Sequence, residues 1–401
     1  MTPGALRILF LLPFAPRLEG RHGGARATGQ LIAGLAHRHE VAVLYRADPA
    51  EPPLEGDLRE LCAVVEAVMP HGRPSRLRPK LALLRGIPTW ASEMAEPAFA
   101  ERVRDLSSGW APDIVQVEYP VMGQYLAALE GCPAPRVLVD HEASLRDLRT
   151  WNGPLARLTG ALDTRAWRRF ERRVAAQVQA VVVFTERDRH ALESLGVGTP
   201  ITTVPLGVPL PEEALDPVGS EPPGVLFVGS FGHPANVDAA LWLGGELFPP
   251  VRELHPGARL TIVGPSPPPE ILALAGEGVS VTGEVADVTP FLEDAAVVAA
   301  PLRIGGGMRV KVLEAMAAGK AVVATPLAVE GLGPEGASRI RIAEAAGDFR
   351  SALGDLLADP GGRGTLGAGA RRWAAEHLGW ERSIARYETL YEELLTHGRR
   401  R

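Results

Sequence analysis

A chain of 401 residues is long enough for two domains, and with 46% hydrophobic residues each can bury a full core. The formal net charge of −6 argues against general nucleic-acid binding. Cys62 and Cys132 are far apart and outside any CxxC pattern, which excludes a disulfide framework or a cysteine zinc site and fits a reducing cytosol.

The stretch from Arg7 to Phe14 is apolar but too short to cross a bilayer, and it carries no cleavage pattern, so it reads as a first β-strand. No later stretch reaches the roughly 18 apolar residues of a membrane span. A cytoplasmic protein is expected, resting at most on the inner face of a membrane. Short apolar strands are predicted near 7–12, 41–45, 62–68, 113–118, 136–140 and 179–184, with helices between them, among others at 27–37, 121–129 and 154–177. That alternation implies a parallel sheet covered on both faces.

Gly23 and Gly24 lie between the first strand and the first helix, where glycine lets backbone approach a ligand closely; the plain alternative is a simple turn. The spacing is not GxGxxG, so it is no dinucleotide fingerprint. His141 follows the strand Val137-Leu138-Val139, at a carboxyl end where open α/β sheets hold ligands. It can hydrogen-bond a substrate hydroxyl or a reacting group, or be an ordinary loop histidine. Two basic stretches, Arg73 to Arg85 and Arg165 to Arg173, mix arginine with leucine or aromatic residues. Such segments suit anionic lipid or an acidic acceptor, although charged runs are commonly just solvated faces.

A proline-rich passage, from Pro205 through Pro223, reads as a linker over 205–223. A second α/β set opens at Gly224, with strands near 259–263, 279–282, 296–300 and 321–325 and helices near 236–254, 308–318 and 348–358. Two doubly wound domains are therefore expected, 1–204 and 224–379, facing each other across a cleft. The tail over 364–396 is helical, and from Trp380 onward it either packs on its own domain or crosses back to the first.

The most informative stretch is 301–319. A buried-looking strand, Ala296 to Ala300, meets Gly305-Gly306-Gly307, and a helix follows with Val310, Leu313 and Ala317 on one face and Gly319 as its stop. A helix start carries unpaired N–H groups and partial positive charge, which suits an anion. Arg309 and Lys311 stand at the wrong end of the helix dipole, each at a cost of a few tenths to about 1 kcal/mol, which makes sense if a diphosphate fills the site. Glu314, three residues after Lys311, is placed to accept from sugar hydroxyls. The plain alternative is a surface Lys–Glu pair over a tight turn. No GxxxxGK[ST], Asp-x-Asp, HExxH or GxSxG pattern occurs, so a bound diphosphate would be met by backbone N–H groups, Arg and Lys rather than by a metal ion.

The run from Gly305 to Thr325 resembles the signature of the family-4 (group 1) retaining glycosyltransferases of the GT-B fold. Its flanks fit as well: Leu226-Phe227-Val228-Gly229-Ser230, Leu260-Thr261-Ile262-Val263-Gly264, Val281-Thr282-Gly283-Glu284-Val285 and Glu330-Gly331-Leu332. The resemblance implies two Rossmann-like domains. It also implies hexosyl transfer from a sugar nucleotide to a glycan, lipid-linked or small-molecule acceptor, with neither metal nor cofactor. By the same resemblance Glu314 holds the ribose, and the amides of Gly307, Met308 and Arg309 cradle the diphosphate with Lys311. Gly23, Gly24, Gly229, Gly305, Gly306 and Val310 line the donor, Val285 lies by the base, and His141 contacts the transferred sugar.

Two departures stand out. Gly306 occupies the position where the family usually has a glutamate, eight residues before Glu314, and the run Gly229 to Asn236 lacks the family's usual Arg and Lys. A subgroup with the Gly-Gly-Gly form carries its basic residues in the loop helix instead, as Arg309 and Lys311 do here. A sugar-nucleotide epimerase or hydrolase on the same fold, or a binding module without activity, are the alternatives.

Overall fold

The computed structural model describes residues 4–18, 23–71, 78–141, 143, 154–305 and 309–398. The chain divides into two compact units: unit 1 comprises 1–19, 24–205 and 383–401, and unit 2 comprises 20–23 and 206–382.

Unit 1 is built on a parallel sheet of β1 (Arg7–Leu12), β2 (Glu40–Arg46), β3 (Val64–Val68), β4 (Ile114–Glu118), β5 (Arg136–Asp140), β6 (Ala180–Val183) and β7 (Ile201–Thr203), in the order β3-β2-β1-β4-β5-β6-β7. Unit 2 has β8 (Gly224–Val228), β9 (Arg259–Val263), β10 (Val279–Gly283), β11 (Ala295–Ala300), β12 (Ala321–Ala324) and β13 (Arg341–Ile342), in the order β10-β9-β8-β11-β12-β13. All pairings in both sheets are parallel, with Leu9 opposite Ala42 and Val115 in the first sheet and Leu226 opposite Thr261 and Val298 in the second. In each sheet the winding reverses once, between β1 and β4 and between β8 and β11. The crevice at the carboxyl ends of such a strand pair is where ligands bind in open α/β sheets.

The central strands are buried on both faces, so most of them read as continuous apolar runs and were legible from sequence. The edge strands β7 and β13 are short, half-buried or exposed, and left no such run. The helix predicted over 236–254 is three pieces: Pro234–Trp242, a π-turn at Leu243–Leu247, and Phe248–Leu254. Pro249 and Pro250 have no N–H to give the ladder, and the wider turn just before them accommodates the loss.

Two further segments complete the units. The passage read as a linker is a strap fastened along unit 2: Leu215 N–H donates to Ala318 O, and Arg371 donates to Pro211 O. Lys320, fully buried, donates to the carbonyls of Asp216 and Glu293. The tail is two helices, Pro360–His377 and Trp380–Gly398, separated at Gly379. The second belongs to unit 1 from Ser383 onward, where Ile384 fills the space left by Gly34 on helix Gly23–Ala36, and Arg38 and His39 pair with Glu388.

Candidate functional site

The switch point of unit 2 is bounded by the loops after β8 and β11. Helix Val310–Ala317 begins later than the sequence suggested: Arg309 is its cap residue, with φ −92° and ψ 75°, and accepts the first two helical bonds from Val312 and Leu313 at 2.8 and 3.2 Å. Gly319 ends the helix with φ +80°, the left-handed conformation that glycine adopts at little cost. Gly306, Gly307 and Met308 lie outside the described residues.

Both cations turn toward the start of a second helix, Pro234–Trp242. Lys311 Nζ donates to Asn236 Oδ1 at 2.6 Å and lies 4.5 Å from the centre of the Phe227 ring. Asn236 in turn donates to Ser230 O at 2.8 Å, which ties the loop after β8 to the pair. A Cβ placed on Gly229 would come within 3.0 Å of Lys311 Nζ and 2.8 Å of Asn236 Cγ, so only glycine leaves this slot open. Gly305, at φ +115°, is likewise required: a Cβ there would lie 3.2 Å from Ala235 Cβ and 3.4 Å from the Arg309 guanidinium. Glu314 and Val310 are half-buried on the same helix, and Val285, after β10, packs against the edge of the unit 2 core.

Lys311 is half-buried as a residue, but its ammonium is bounded by Phe227, Gly229 and Asn236. Desolvation, and then the Arg309 charge, push its pKa down from 10.5 to about 7, while Glu314 pulls the other way. A buried cation with a second cation beside it is an arrangement that an arriving anion relieves. Among the described residues no group of three His, Cys, Asp or Glu side chains is placed to hold a metal ion.

A residue the sequence reading passed over holds the loop after β11. Arg303 makes a forked pair with Asp238 on helix Pro234–Trp242, at 2.6 and 3.0 Å, and its guanidinium lies 4.6 Å from the Trp242 ring centre. The alternation of Arg303 with apolar neighbours gave no hint of this, because Asp238 is 65 residues away.

In unit 1 the comparable position is the carboxyl end of β4 and β5. His141 is not a surface histidine: its side chain is 8% exposed, stacked on Tyr119 with ring centres 3.9 Å apart and met edge-on by Phe184. Its Nε2 is 2.6 Å from Glu118 Oε2. Glu118 and Gln116, both buried in β4, were missed. The signal was present, since a central strand of a parallel sheet ought to be apolar throughout and this one carries two polar residues at alternate positions. Gly23 and Gly24 open helix Gly23–Ala36, and a Cβ on Gly23 would meet nothing within 4 Å. Glu142, and Arg73 to Arg76 of the first basic stretch, lie outside the described residues.

Comparisons with known proteins identify the family and the fold. The family of glycosyl transferases group 1 matches residues 222–359, and the glycosyl transferase 4-like domain matches 22–207. Between them they take in most of the chain, and it belongs to the group 1 glycosyltransferases, with the GT-B fold of two Rossmann-like α/β units. Sucrose-phosphate synthase from Thermosynechococcus elongatus is similar in fold, with a TM-score of 0.73 and 18% identity over 98% of this chain and 100% of that one. The Anabaena protein Alr3699/HepE, in a complex with UDP and glucose, has a TM-score of 0.66 and 14% identity over 96% and 100%. The trehalose 6-phosphate synthase of Burkholderia multivorans has a TM-score of 0.65 and 13% identity over 98% of both chains. No curated protein matches the sequence significantly.

Proposed function

We propose that this glycosyltransferase moves a hexosyl group, with retention of configuration and without a divalent ion, from a nucleoside-diphosphate sugar to a hydroxyl of a glycan, lipid-linked or small-molecule acceptor. The observation that carries the reading is the convergence of Arg309 and Lys311 on Asn236 and Ala235, at the junction of two helix starts. A diphosphate there meets oriented N–H groups and two fixed cations, the groups a metal ion would otherwise replace. As the bond to the sugar breaks, negative charge grows on the leaving phosphate, and preformed donors stabilise that charge without reorganising. The leaving phosphate then guides the acceptor hydroxyl onto the same face of the sugar. Glu314 is assigned to the ribose, Val285 to the base, and His141 to a hydroxyl of the transferred sugar.

Thermal shift against UDP-, GDP- and ADP-sugars identifies the donor, since a ligand that binds only the native state raises the melting point. The Anabaena relative's complex with UDP and glucose puts uridine donors first. The anomer formed with an accepted donor is then read by proton NMR. An inverted product would refute the retaining mechanism, and a panel with no shift would remove the transferase reading.

The acceptor side is proposed to rest on an anionic membrane surface. Helices Arg78–Leu84 and Pro154–Ala175 pack together and leave Leu81, Leu84, Leu158 and Leu162 exposed, followed on the second helix by exposed Arg165 and Arg169 at helical spacing. Apolar residues flanked by arginine suit the boundary between acyl chains and acidic headgroups. No described helix is long and apolar enough to cross a membrane.

A further inference from the structure

His141 stands at the end of a buried chain of polar side chains that reaches to the C-terminal helix. His141 Nε2 meets one oxygen of Glu118, and Gln116 Nε2 donates to the other at 2.5 Å. The hydroxyl of Tyr391 donates to Gln116 Oε1. Gln116, Glu118 and Tyr391 are all at most 1% exposed. Gln116 and Glu118 are two apart on β4 and so share one face of the sheet, the face that helix Trp380–Gly398 covers.

Every link has one consistent direction. The tyrosine can only give its proton to the amide oxygen, which leaves the amide NH2 for Glu118, and the carboxylate accepts on both sides. Burial, and then the negative Glu118, hold the Tyr391 hydroxyl well above its usual pKa, so it stays a donor. With both carboxylate oxygens accepting, Nε2 of His141 carries the proton, and Nδ1 is the nitrogen left for a ligand. Ring stacking on Tyr119 and the edge of Phe184 fix the plane of the imidazole.

We propose that Glu118 is the positioning residue for His141, fixing its tautomer and ring orientation, and that Tyr391 on the C-terminal helix is the far anchor of the same relay. This makes the helix from Trp380 part of the working apparatus of unit 1. Its register is set by the seat of Ile384 against Gly34 and by the Glu388 pair with Arg38 and His39, so Tyr391 is delivered to Gln116 by packing. The proposal rests on the role assigned to His141 above for its effect on turnover, but the tautomer itself does not depend on any substrate.

The test uses the full chain labelled with ring-15N histidine, with His141→Asn to locate the resonance. Long-range proton–nitrogen spectra read which ring nitrogen bears the proton. The unmodified chain is expected to show Nε2–H. In Glu118→Gln the new amide keeps its oxygen for Gln116 and turns its NH2 to His141, so the proton moves to Nδ1. Tyr391→Phe, which removes one oxygen and keeps the ring, leaves the Glu118 carboxylate an acceptor, so Nε2–H is expected to persist and only the kinetics to change. With the sugar nucleotide the chain turns over, kcat in Glu118→Gln falls by about 10²-fold with KM within about 3-fold, since a wrong tautomer impairs the reaction more than binding. In Tyr391→Phe kcat falls by roughly 3- to 10-fold, because that change lies two links further out. An unmodified chain already in the Nδ1–H form, or a spectrum unchanged in Glu118→Gln, would overturn the proposal. So would a shifted tautomer with kcat intact. Should Glu118→Gln fail to fold, the tautomer of the unmodified chain and the fall of kcat in Tyr391→Phe decide, and unchanged kcat there would overturn the relay. If the unmodified chain turns over no sugar nucleotide, the transferase reading falls, while the spectra still settle the relay.

Discussion

Lys311 and Asn236, 75 residues apart, are joined by a 2.6 Å hydrogen bond that ties the helix after β11 to the helix after β8. In the proposed donor site this bond fixes where the cation stands. The ammonium comes from the helix after β11, and an amide on the helix after β8 receives it. A neutral partner leaves the charge of the protonated ammonium to a ligand, whereas a paired carboxylate would offset it.

Removal of the Lys311 ammonium is expected to lower turnover by about 10²- to 10³-fold, the usual effect of losing one fixed donor to developing charge. The fold should survive Lys311→Met, since burying an ammonium beside Arg309 opposes stability in the free protein. Wild-type turnover in Lys311→Met, measured beside its thermal melt, would discredit the role.

The depressed pKa gives a signed dependence on pH. Between the folded value of about 7 and the unfolded value near 10.5, the unfolded chain binds more protons at this group than the folded one. Stability relative to Lys311→Met therefore rises as pH climbs through that window, and the penalty is fully present below about 7. A diphosphate favours the charged form, so binding above pH 7 should take up close to one proton, and affinity should fall as pH rises. Calorimetry in buffers of differing ionisation enthalpy measures the uptake, which is expected to vanish in Lys311→Met.

Gly229 can be tested without touching a charge. Its added Cβ would press on both Lys311 Nζ and Asn236 Cγ, within 3.0 Å of each. Gly229→Ala is expected to weaken nucleotide binding by roughly 10-fold while the melting point of unit 2 moves by only a few degrees, about 1 kcal/mol of stability being a shift of 2–4 °C in a unit of this size. A larger effect on the melt than on binding would place the glycine in the framework instead of the site.

The strap over 206–223 supplies a stability prediction. Lys320 has its pKa lowered to about 8 by burial, yet it satisfies two carbonyls that nothing else in the described structure is recorded to reach. Lys320→Met removes the donor from both carbonyls, at a cost of about 0.5–1.5 kcal/mol for each lost hydrogen bond. The expected result is a lower melting point for unit 2 and faster proteolysis within the strap. Unchanged cleavage there would show that the prolines and Arg371 hold it unaided.

The exposed leucines predict membrane contact. Co-sedimentation with phosphatidylglycerol vesicles should capture the chain, and Leu81→Ser with Leu84→Ser should reduce capture several-fold and leave nucleotide binding intact. Equal capture on neutral phosphatidylcholine vesicles would argue against the electrostatic part of the contact.

Much of the architecture was readable along the chain because its signals are local. Most buried parallel strands here are apolar runs, the glycine loop at 305 needs a positive φ that few other residues adopt, and Gly319 ends a helix by the same means. The long helix near 236–254 was readable but not its π-turn, whose cause, two prolines, looks the same in a helix that simply ends. His141 was found by its place at a strand end. Glu118 and Gln116 were not, although two polar residues in an apolar central strand mark them in retrospect.

By itself the sequence determined the two alternating α/β sets, the glycine loop and the cations that follow it, since periodicity and backbone preference act over a few residues. Only the tertiary structure decided that Lys311 is held by Asn236, that the proline-rich passage is a strap of unit 2, and that Tyr391 ends in the core of unit 1 against Gln116, 275 positions earlier. The physical reason is that an amphipathic helix has the same pattern whichever sheet it covers. Its choice is made by the complementary surface, here the gap at Gly34 and the polar pair in β4, which no local stretch of chain records.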